Sequence, residues 1–158
     1  AIVTRVVNAD TIEVKIQGIG FTIGYLGIDA PNLATKDAKA ECHNREATAL
    51  NSSLIRGQTV RVERESTDFE PNGSGRLMRY VYLKDGRMVN EELVKAGAAR
   101  VSNALPDGRY RDRLAAAERE AHESIRGQWK ACAPAGACRP TTRARPRACA
   151  CGPPMPAP

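Results

Sequence analysis

Long apolar runs are missing from this sequence, and so is the pattern of a signal peptide. A helix that crosses a bilayer needs roughly 18 or more consecutive apolar residues, and no such run occurs. We therefore expect no membrane partner. Ala1 opens directly into a strand-like segment, with no charged and apolar leader before it. This start leaves open that a signal peptide has been removed.

Acidic residues are missing from positions 130–158. Five of the 24 Lys and Arg residues lie there and none of the 18 Asp and Glu residues does, which leaves 19 basic against 18 acidic residues in 1–129. The formal charge of +6 therefore belongs to the end of the chain. Charge by itself is only weak support for nucleic-acid binding by the rest of the chain.

Apolar periodicity is missing from residues 133–158. Ala, Pro, Arg, Cys and Gly dominate this segment, and such a composition cannot bury a core. We predict a folded domain over 1–132 and a disordered tail over 133–158. The three cysteines of the tail do not have the spacing of a zinc site, and its arginines could contact nucleic acid non-specifically.

The folded part contains a strand that ends in a carboxylate. Residues 21–28 are apolar apart from Thr22 and two glycines, which favours a strand buried on both faces. Pro31 cannot donate a hydrogen bond to a sheet, and it favours an extended conformation in the residue before it. Asp29 therefore falls where a strand passes into a loop, which suits either a turn-forming residue or a site residue.

A second carboxylate, Asp10, stands at a predicted hairpin. Residues 2–7 are strand-like, 8–11 form a turn, and 12–16 alternate apolar and polar side chains with a period of two. Carboxylates at neighbouring strand ends provide the hard oxygen ligands that Ca²⁺ or Mg²⁺ prefers. Asp10 and Asp29 are therefore candidate ligands of one divalent cation.

The order of the predicted elements favours a small barrel with helices packed outside it. Three strands fall within 1–28, with the third at 21–28, and two more at 58–65 and 76–83. Helices are predicted at 41–55, 88–96 and 110–126. The last of these helices places Leu114, Ala117, Ala121 and Ile125 on one apolar face.

Several motifs, taken in order along the chain, resemble the staphylococcal nuclease (thermonuclease) family. They are Asn8-Ala9-Asp10-Thr11-Ile12, Leu26-Gly27-Ile28-Asp29-Ala30-Pro31, Gly75-Arg76 and the segment 85–94. The resemblance extends over roughly residues 2–129. It implies a five-stranded OB-type barrel with three helices that cleaves DNA and RNA with Ca²⁺. It also implies a nucleic-acid partner, and we expect a monomer.

The resemblance assigns roles to four residues. Asp10 and Asp29 match the metal-binding carboxylates of the family, and Ala30 matches the residue whose backbone carbonyl is a further ligand. Arg76 matches an arginine that acts on the phosphate. Hydrolysis of a phosphodiester needs such cations to stabilise the charge on the phosphate oxygens.

Two further catalytic positions of the family hold different residues here. Gly24 stands where the family has an arginine, and Asn32 stands where it has a glutamate that acts on the attacking water. Losing one such group typically lowers the rate by about 10²–10³. Three glutamates, Glu41, Glu46 and Glu70, are candidates to replace the missing carboxylate. We therefore predict a nuclease-like domain with weak or no activity; the alternative is a pseudonuclease that binds nucleic acid or protein without cleavage.

The cysteines Cys42 and Cys132 resemble a pair found in exported members of the family. This resemblance implies a disulfide between them, which joins the start of the first long helix to the end of the last. Disulfides persist in oxidising compartments, so we expect an extracellular or cell-envelope location. The alternative, a metal site that uses Cys42 and His43, lacks a nearby pair of ligands to complete it.

Overall fold

The computed structural model describes residues 1–34, 39–65, 75–103 and 108–132. Its strands are Ile2–Val6 (β1), Thr11–Ile16 (β2), Ile19–Tyr25 (β3), Ile28–Asp29 (β4), Arg61–Glu63 (β5), Leu77–Tyr82 (β6) and Arg100–Val101 (β7). Its helices are Asn44–Ile55 (α1), Val89–Lys95 (α2), Arg111–Glu123 (α3) and the short Gln128–Ala131 (α4). Five strands form one mixed sheet in the order β1-β2-β3-β6-β5, and β4 pairs separately with β7.

The first three strands form an antiparallel meander. Between β2 and β3, the turn residues Gln17 and Gly18 both have positive φ, at 50° and 85°. Two residues in this conformation make the tight hairpin turn whose twist matches that of the flanking strands. Strand β6 then pairs in parallel with β3, and β5 pairs antiparallel with β6.

The two edges of this sheet are linked by backbone hydrogen bonds. The Val3 N–H donates to the Gln58 carbonyl over 3.0 Å, and the Val60 N–H donates to the Ala1 carbonyl over 2.8 Å. Strand β1 thus meets the residues just ahead of β5. With three longer helices packed on the sheet, this arrangement confirms the predicted OB-type barrel fold.

The strand predicted over 21–28 is interrupted. Strand β3 ends at Tyr25, and the chain turns at Gly27, where φ is 77°. A Cβ at Gly27 would lie 2.9 Å from Leu114 Cδ1 of α3, so both the backbone conformation and the approach of the helix favour glycine. Asp29 consequently ends the short strand β4, not the long strand β3.

The helix α3 ends earlier than its apolar pattern indicates. Its buried residues are Leu114, Ala117 and Ala121, as predicted. Ile125 was predicted on the same face, and this was wrong, because the helix ends at Glu123 and Ile125 is 37% exposed with a φ of 52°.

A buried amide holds the interrupted strand in place. Asn90 of α2 is fully buried. Its Oδ1 accepts from the Val81 N–H over 2.9 Å, and its Nδ2 donates to the Leu26 carbonyl over 2.9 Å. Because a buried backbone group without a partner costs stability, Asn90 both joins α2 to β6 and satisfies the carbonyl beside the Gly27 turn.

Within the described parts of the chain, none of the helices combines the length and the apolar character needed to span a membrane. The division into a domain over 1–132 and a disordered tail over 133–158 stays a prediction, because residues 133–158 lie outside the described ranges.

Candidate active site

The turn that carries Asp10 is held by hydrogen bonds on three sides. The Asn8 Oδ1 accepts from the Asp10 N–H over 3.1 Å, which is the pattern of an Asx turn. The Asp10 carbonyl accepts from the Tyr25 N–H over 2.8 Å. The Thr11 hydroxyl donates to Asp10 Oδ1 over 2.9 Å. The carboxylate of Asp10 therefore has a defined orientation at the start of β2.

Helix α1 stabilises this turn through a hydrogen bond from Asn51. The Asn51 Nδ2 donates to the Asn8 carbonyl over 3.0 Å, and the Tyr25 hydroxyl donates to Asn51 Oδ1 over 2.9 Å. Asn51 is fully buried, and burial raises the pKa of Tyr25 above its ordinary value. Asn51 therefore fixes the position of the Asp10 turn relative to β3 and α1.

The carboxylate of Asp29 interacts electrostatically with two other carboxylates. Partial burial raises its pKa first, and the negative charges of Asp10 and Glu41 raise it further. Arg100, its partner across the β4–β7 pair, acts in the opposite direction. The charge interaction between Asp10 and Asp29 indicates that the fold places these two residues, from separate turns, near each other. Their joint role as metal ligands stays a prediction.

Carboxylates such as those of Asp10 and Asp29 are oxygen ligands that a hard divalent cation prefers. Burial raises the pKa of Asp29 most, the charge of Asp10 raises it further, and a bound cation would relieve the repulsion between the two carboxylates. Across the described ranges, no three His, Cys, Asp or Glu side chains are grouped as a metal site. A cation here would therefore need further ligands, such as the adjacent backbone carbonyl of Ala30 and water.

Arg76 is linked to Asp10 through Thr11. The Arg76 Nη1 donates to the Thr11 Oγ1 over 3.2 Å, and the same hydroxyl donates to Asp10 Oδ1. Arg76 precedes β6 and is exposed, whereas Thr11 is buried at the start of β2. The tertiary structure therefore joins the Arg76 guanidinium and the Asp10 carboxylate, which are 66 positions apart, through hydrogen bonds to the Thr11 hydroxyl.

The space over Gly24 is filled by a methionine. Gly24 pairs with Thr11 on one side and with Met78 on the other. A Cβ built on Gly24 would lie 2.5 Å from Met78 Sδ. Because Sδ is near the end of a flexible side chain, a larger residue at position 24 would have to displace Met78, and this is feasible.

Position 32 carries no acid, but an acidic residue from the segment ahead of α1 lies against it. The Asn32 N–H donates to Glu41 Oε2 over 2.7 Å, and the Glu41 N–H donates to the Asn32 carbonyl over 3.0 Å. Of the other candidates, Glu46 is paired with His43 at 3.8 Å and its side chain is 67% exposed. Glu70 lies outside the described residues.

A pocket of about 300 Å³ opens beside Asp29 and Glu41. Its lining residues are Asp29, Ala30, Pro31, Glu41, Cys42, Arg100, Gln128 and Cys132. The structure joins Cys42 to Cys132 by a disulfide with a Cα–Cα distance of 5.8 Å. This bond forms one wall of the pocket. Because the Cys42 sulfur is part of this disulfide, it cannot bind a metal, and the alternative metal site with His43 is therefore not supported.

Two contributors to the site, Asn51 and Arg100, were missed by the analysis of the sequence, and a third, Glu41, was named as a candidate without its contact being predicted. Asn51 could have been suspected, because it is a polar residue four positions after Ala47 on the buried face of α1. Nothing local in the sequence indicates the pairing of Arg100 with Asp29. The contact of Glu41 with Asn32 likewise depends on how the chain folds back before α1.

Comparison with known proteins relates this site to one family. A family model described as staphylococcal nuclease homologue matches residues 22–131. An uncharacterized endonuclease of Escherichia coli is 35% identical over 127 residues, which are 80% of this chain and 74% of that protein. The thermonuclease of Staphylococcus hyicus is 29% identical, over 80% of this chain and 73% of its own. The SPbeta prophage-derived endonuclease YokF of Bacillus subtilis is 32% identical over 79% of this chain, which spans only 42% of that protein.

Proposed function

The chain belongs to the staphylococcal nuclease homologue family, and from this membership we propose that it is a thermonuclease-like endonuclease domain. Its substrate would be a phosphodiester bond of DNA or RNA. The observation that carries the proposal is the hydrogen-bonded series from Arg76 through Thr11 to Asp10, with Asp29 close by. It combines a cation for the phosphate with carboxylates for a metal.

We propose that Asp10, Asp29 and the backbone carbonyl of Ala30 hold one Ca²⁺ ion. Burial is the largest cause of the raised pKa of Asp29, and the charges of Asp10 and Glu41 add to it; this repulsion supports the assignment, since it favours a bound cation. The ion would supply positive charge beside the scissile phosphate. Thr11 orients Asp10 through its hydroxyl, so that one carboxylate oxygen is already engaged and the other remains for the cation.

Arg76 would bind a non-bridging oxygen of the phosphate. Its guanidinium is exposed, and its bond to Thr11 aims it at the edge of the sheet that carries Asp10. Guanidinium groups stabilise the charge that develops on such oxygens in the transition state. Arg76 is therefore the catalytic side chain of the family pattern that this chain retains.

The proposed activity is weak, because two groups of the family pattern are replaced. Gly24 contributes no charge, and the Asn32 amide cannot take a proton from water. Each loss corresponds to a rate lower by about 10²–10³, although such effects do not simply add. Restoring both side chains should therefore raise the rate by several orders of magnitude.

A second candidate function is binding without cleavage. The observation that favours it is the packing of Met78 over Gly24, which fills the space of the missing arginine with an apolar side chain. A pseudonuclease of this kind would use the same surface to bind nucleic acid or protein. The two functions differ in whether phosphodiester bonds are cut.

The deciding experiment measures cleavage of single-stranded DNA with Ca²⁺ and with a chelator. It compares the wild type with the double variant Gly24→Arg/Asn32→Glu, and with the same variant carrying Met78→Ala to make room. We expect slow Ca²⁺-dependent cleavage by the wild type and a gain of at least about 10²-fold in the double variant.

The Arg76→Ala variant supplies the matched test of the retained side chain. We expect it to lose cleavage, whereas Arg87→Ala should not, because Arg87 pairs with Asp85 and Glu92 on the exposed surface. A silent wild type with an active double variant would identify a pseudonuclease that retains a usable site. If the double variants also fail to cleave, the assignment of Gly24 and Asn32 is wrong.

We also propose an extracellular or cell-envelope location, on the ground of the Cys42–Cys132 disulfide. Mass spectrometry of the protein isolated from its natural compartment should show both thiols oxidised. A finding of two free thiols would contradict this location. The monomeric state stays a prediction, which gel filtration can test.

A further inference from the structure

Glu41 lies against the backbone of the residue that replaces the family's glutamate. Two hydrogen bonds join Glu41 and Asn32, one in each direction, although nine positions separate them. In the first of these bonds, the Glu41 carboxylate accepts from the Asn32 backbone N–H. An acidic group is thus held beside position 32 by a residue from outside the motif.

The same carboxylate shares a pocket with two of the proposed metal ligands. Glu41, Asp29 and Ala30 line one pocket of about 300 Å³, whereas a water molecule occupies only about 30 Å³ of liquid volume. The pocket therefore has room for a phosphate group and a water beside Glu41.

One carboxylate oxygen of Glu41 can accept a hydrogen bond from a water molecule. Within the described ranges, its one side-chain hydrogen bond uses Oε2, which leaves Oε1 for a water. The residue is exposed, so water has access to it. The neighbouring Cys42 is tied to Cys132, and this bond restricts the movement of the segment that carries Glu41.

We propose that Glu41 supplies the carboxylate that position 32 lacks and acts on the attacking water, an inference that rests on the nuclease function proposed above. The water oxygen forms a bond to phosphorus while the bond from phosphorus to the ester oxygen breaks. The proton of the water passes to the Glu41 carboxylate, and the leaving oxygen takes a proton from solvent. Glu41 would thus be a catalytic residue that reaches the site from the segment ahead of α1.

The test compares Glu41→Gln with Glu46→Gln, in the otherwise unchanged protein. Gln keeps an oxygen that can accept from the Asn32 N–H but cannot take a proton, so the fold around it should persist. We expect Glu41→Gln to lower kcat for single-stranded DNA with Ca²⁺ by about 10²-fold or more, with KM little changed. Glu46→Gln should retain the wild-type kcat, because Glu46 lies outside the pocket.

A rescue experiment separates chemistry from structure. Adding Asn32→Glu to Glu41→Gln should give the rate of Asn32→Glu alone, since a carboxylate at position 32 makes the one at position 41 dispensable. Binding of oligo(dT) in the presence of a chelator, followed by fluorescence anisotropy, should be equal in the wild type and Glu41→Gln. If Glu41 instead maintains the fold, the double variant Glu41→Gln/Asn32→Glu should remain slower than Asn32→Glu alone.

The outcomes distinguish this inference from the function on which it rests. If the wild type cleaves, Arg76→Ala does not, and Glu41→Gln cleaves at the wild-type rate, then Glu41 has no catalytic role and the nuclease function stands. If the wild type itself shows no Ca²⁺-dependent cleavage, both the turnover and the role of Glu41 are refuted.

Discussion

Replacing Asp29 by asparagine should stabilise the protein when no cation is present. In the folded state, partial burial and the charges of Asp10 and Glu41 raise the pKa of Asp29. A carboxyl group whose pKa is higher in the folded than in the unfolded state lowers stability once it is ionised. This penalty is present at pH 7 and disappears as the pH falls through the raised pKa. An asparagine side chain avoids the penalty at every pH.

The size of the effect follows from the neighbours of Asp29. Two carboxylates, Asp10 and Glu41, repel it, and one guanidinium, that of Arg100, attracts it. Burial is the largest cause of the raised pKa, but Asp29 is still exposed to solvent, so screening reduces the effect of its charged neighbours. Exposed pairs contribute little after screening, so we expect a gain of about 0.5 kcal/mol in the free energy of unfolding.

The assay is urea unfolding at low salt with a chelator, at pH 7 and again near pH 4. The free energy of unfolding of Asp29→Asn should exceed that of the wild type at pH 7, and this difference should become smaller near pH 4. Asp85→Asn is the matched control, because hydrogen bonds from Arg87 lower the pKa of Asp85 and its replacement should give no gain. Equal or lower stability of Asp29→Asn at pH 7 would refute the reasoning. Added Ca²⁺ should stabilise the wild type more than the variant, since ligands stabilise the state that binds them.

Two further changes test the supports of the site. Tyr25→Phe removes a buried hydrogen bond to Asn51 Oδ1. This change should lower the free energy of unfolding, measured by urea denaturation, by about 1–2 kcal/mol. An unchanged midpoint of unfolding would contradict the role of this bond. The double variant Cys42→Ser/Cys132→Ser opens a loop whose ends are 90 positions apart and should lose about 2–5 kcal/mol. The cleavage rate of this variant should also fall, because Cys42, the residue next to Glu41, is no longer fixed by the disulfide. A wild-type rate in the folded variant would show that the disulfide does not position Glu41.

Local pattern was sufficient for most of the fold. Alternation predicted β2, and the apolar residues of α2 and the first three of the α3 face are buried as expected. These elements repeat with the period of their own backbone, so a short window of sequence carries the signal. The bounds of helices and strands were less accurate, as Ile125 shows.

The interruption at Gly27 could not be predicted from local pattern. Residues 21–28 are apolar throughout most of their length, which is typical of one strand. The reason for the break lies elsewhere in the chain, in the approach of Leu114 and in the hydrogen bond that Asn90 makes to Leu26. Both contacts join residues more than 60 positions apart.

The candidate site shows the same division between local and distant causes. Asp10 and Asp29 could be singled out because each stands where a strand meets a turn. The family resemblance then indicated which neighbours, Gly24 and Asn32, are unusual. That Glu41 approaches Asn32 depends on the folding back of the segment between them, for which the sequence has no repeating signal.

The sequence by itself determined the longer elements of the barrel and the two strand-end carboxylates, and the family resemblance added the hypothesis that Gly24 and Asn32 replace catalytic residues. These depend on residue identity and on short-range backbone preferences. Only the tertiary structure decided that Arg76 meets Thr11, that Met78 covers Gly24 and that Glu41 lies beside position 32. Such contacts require long loops to close, and they form only when burial of the common core compensates the lost chain entropy.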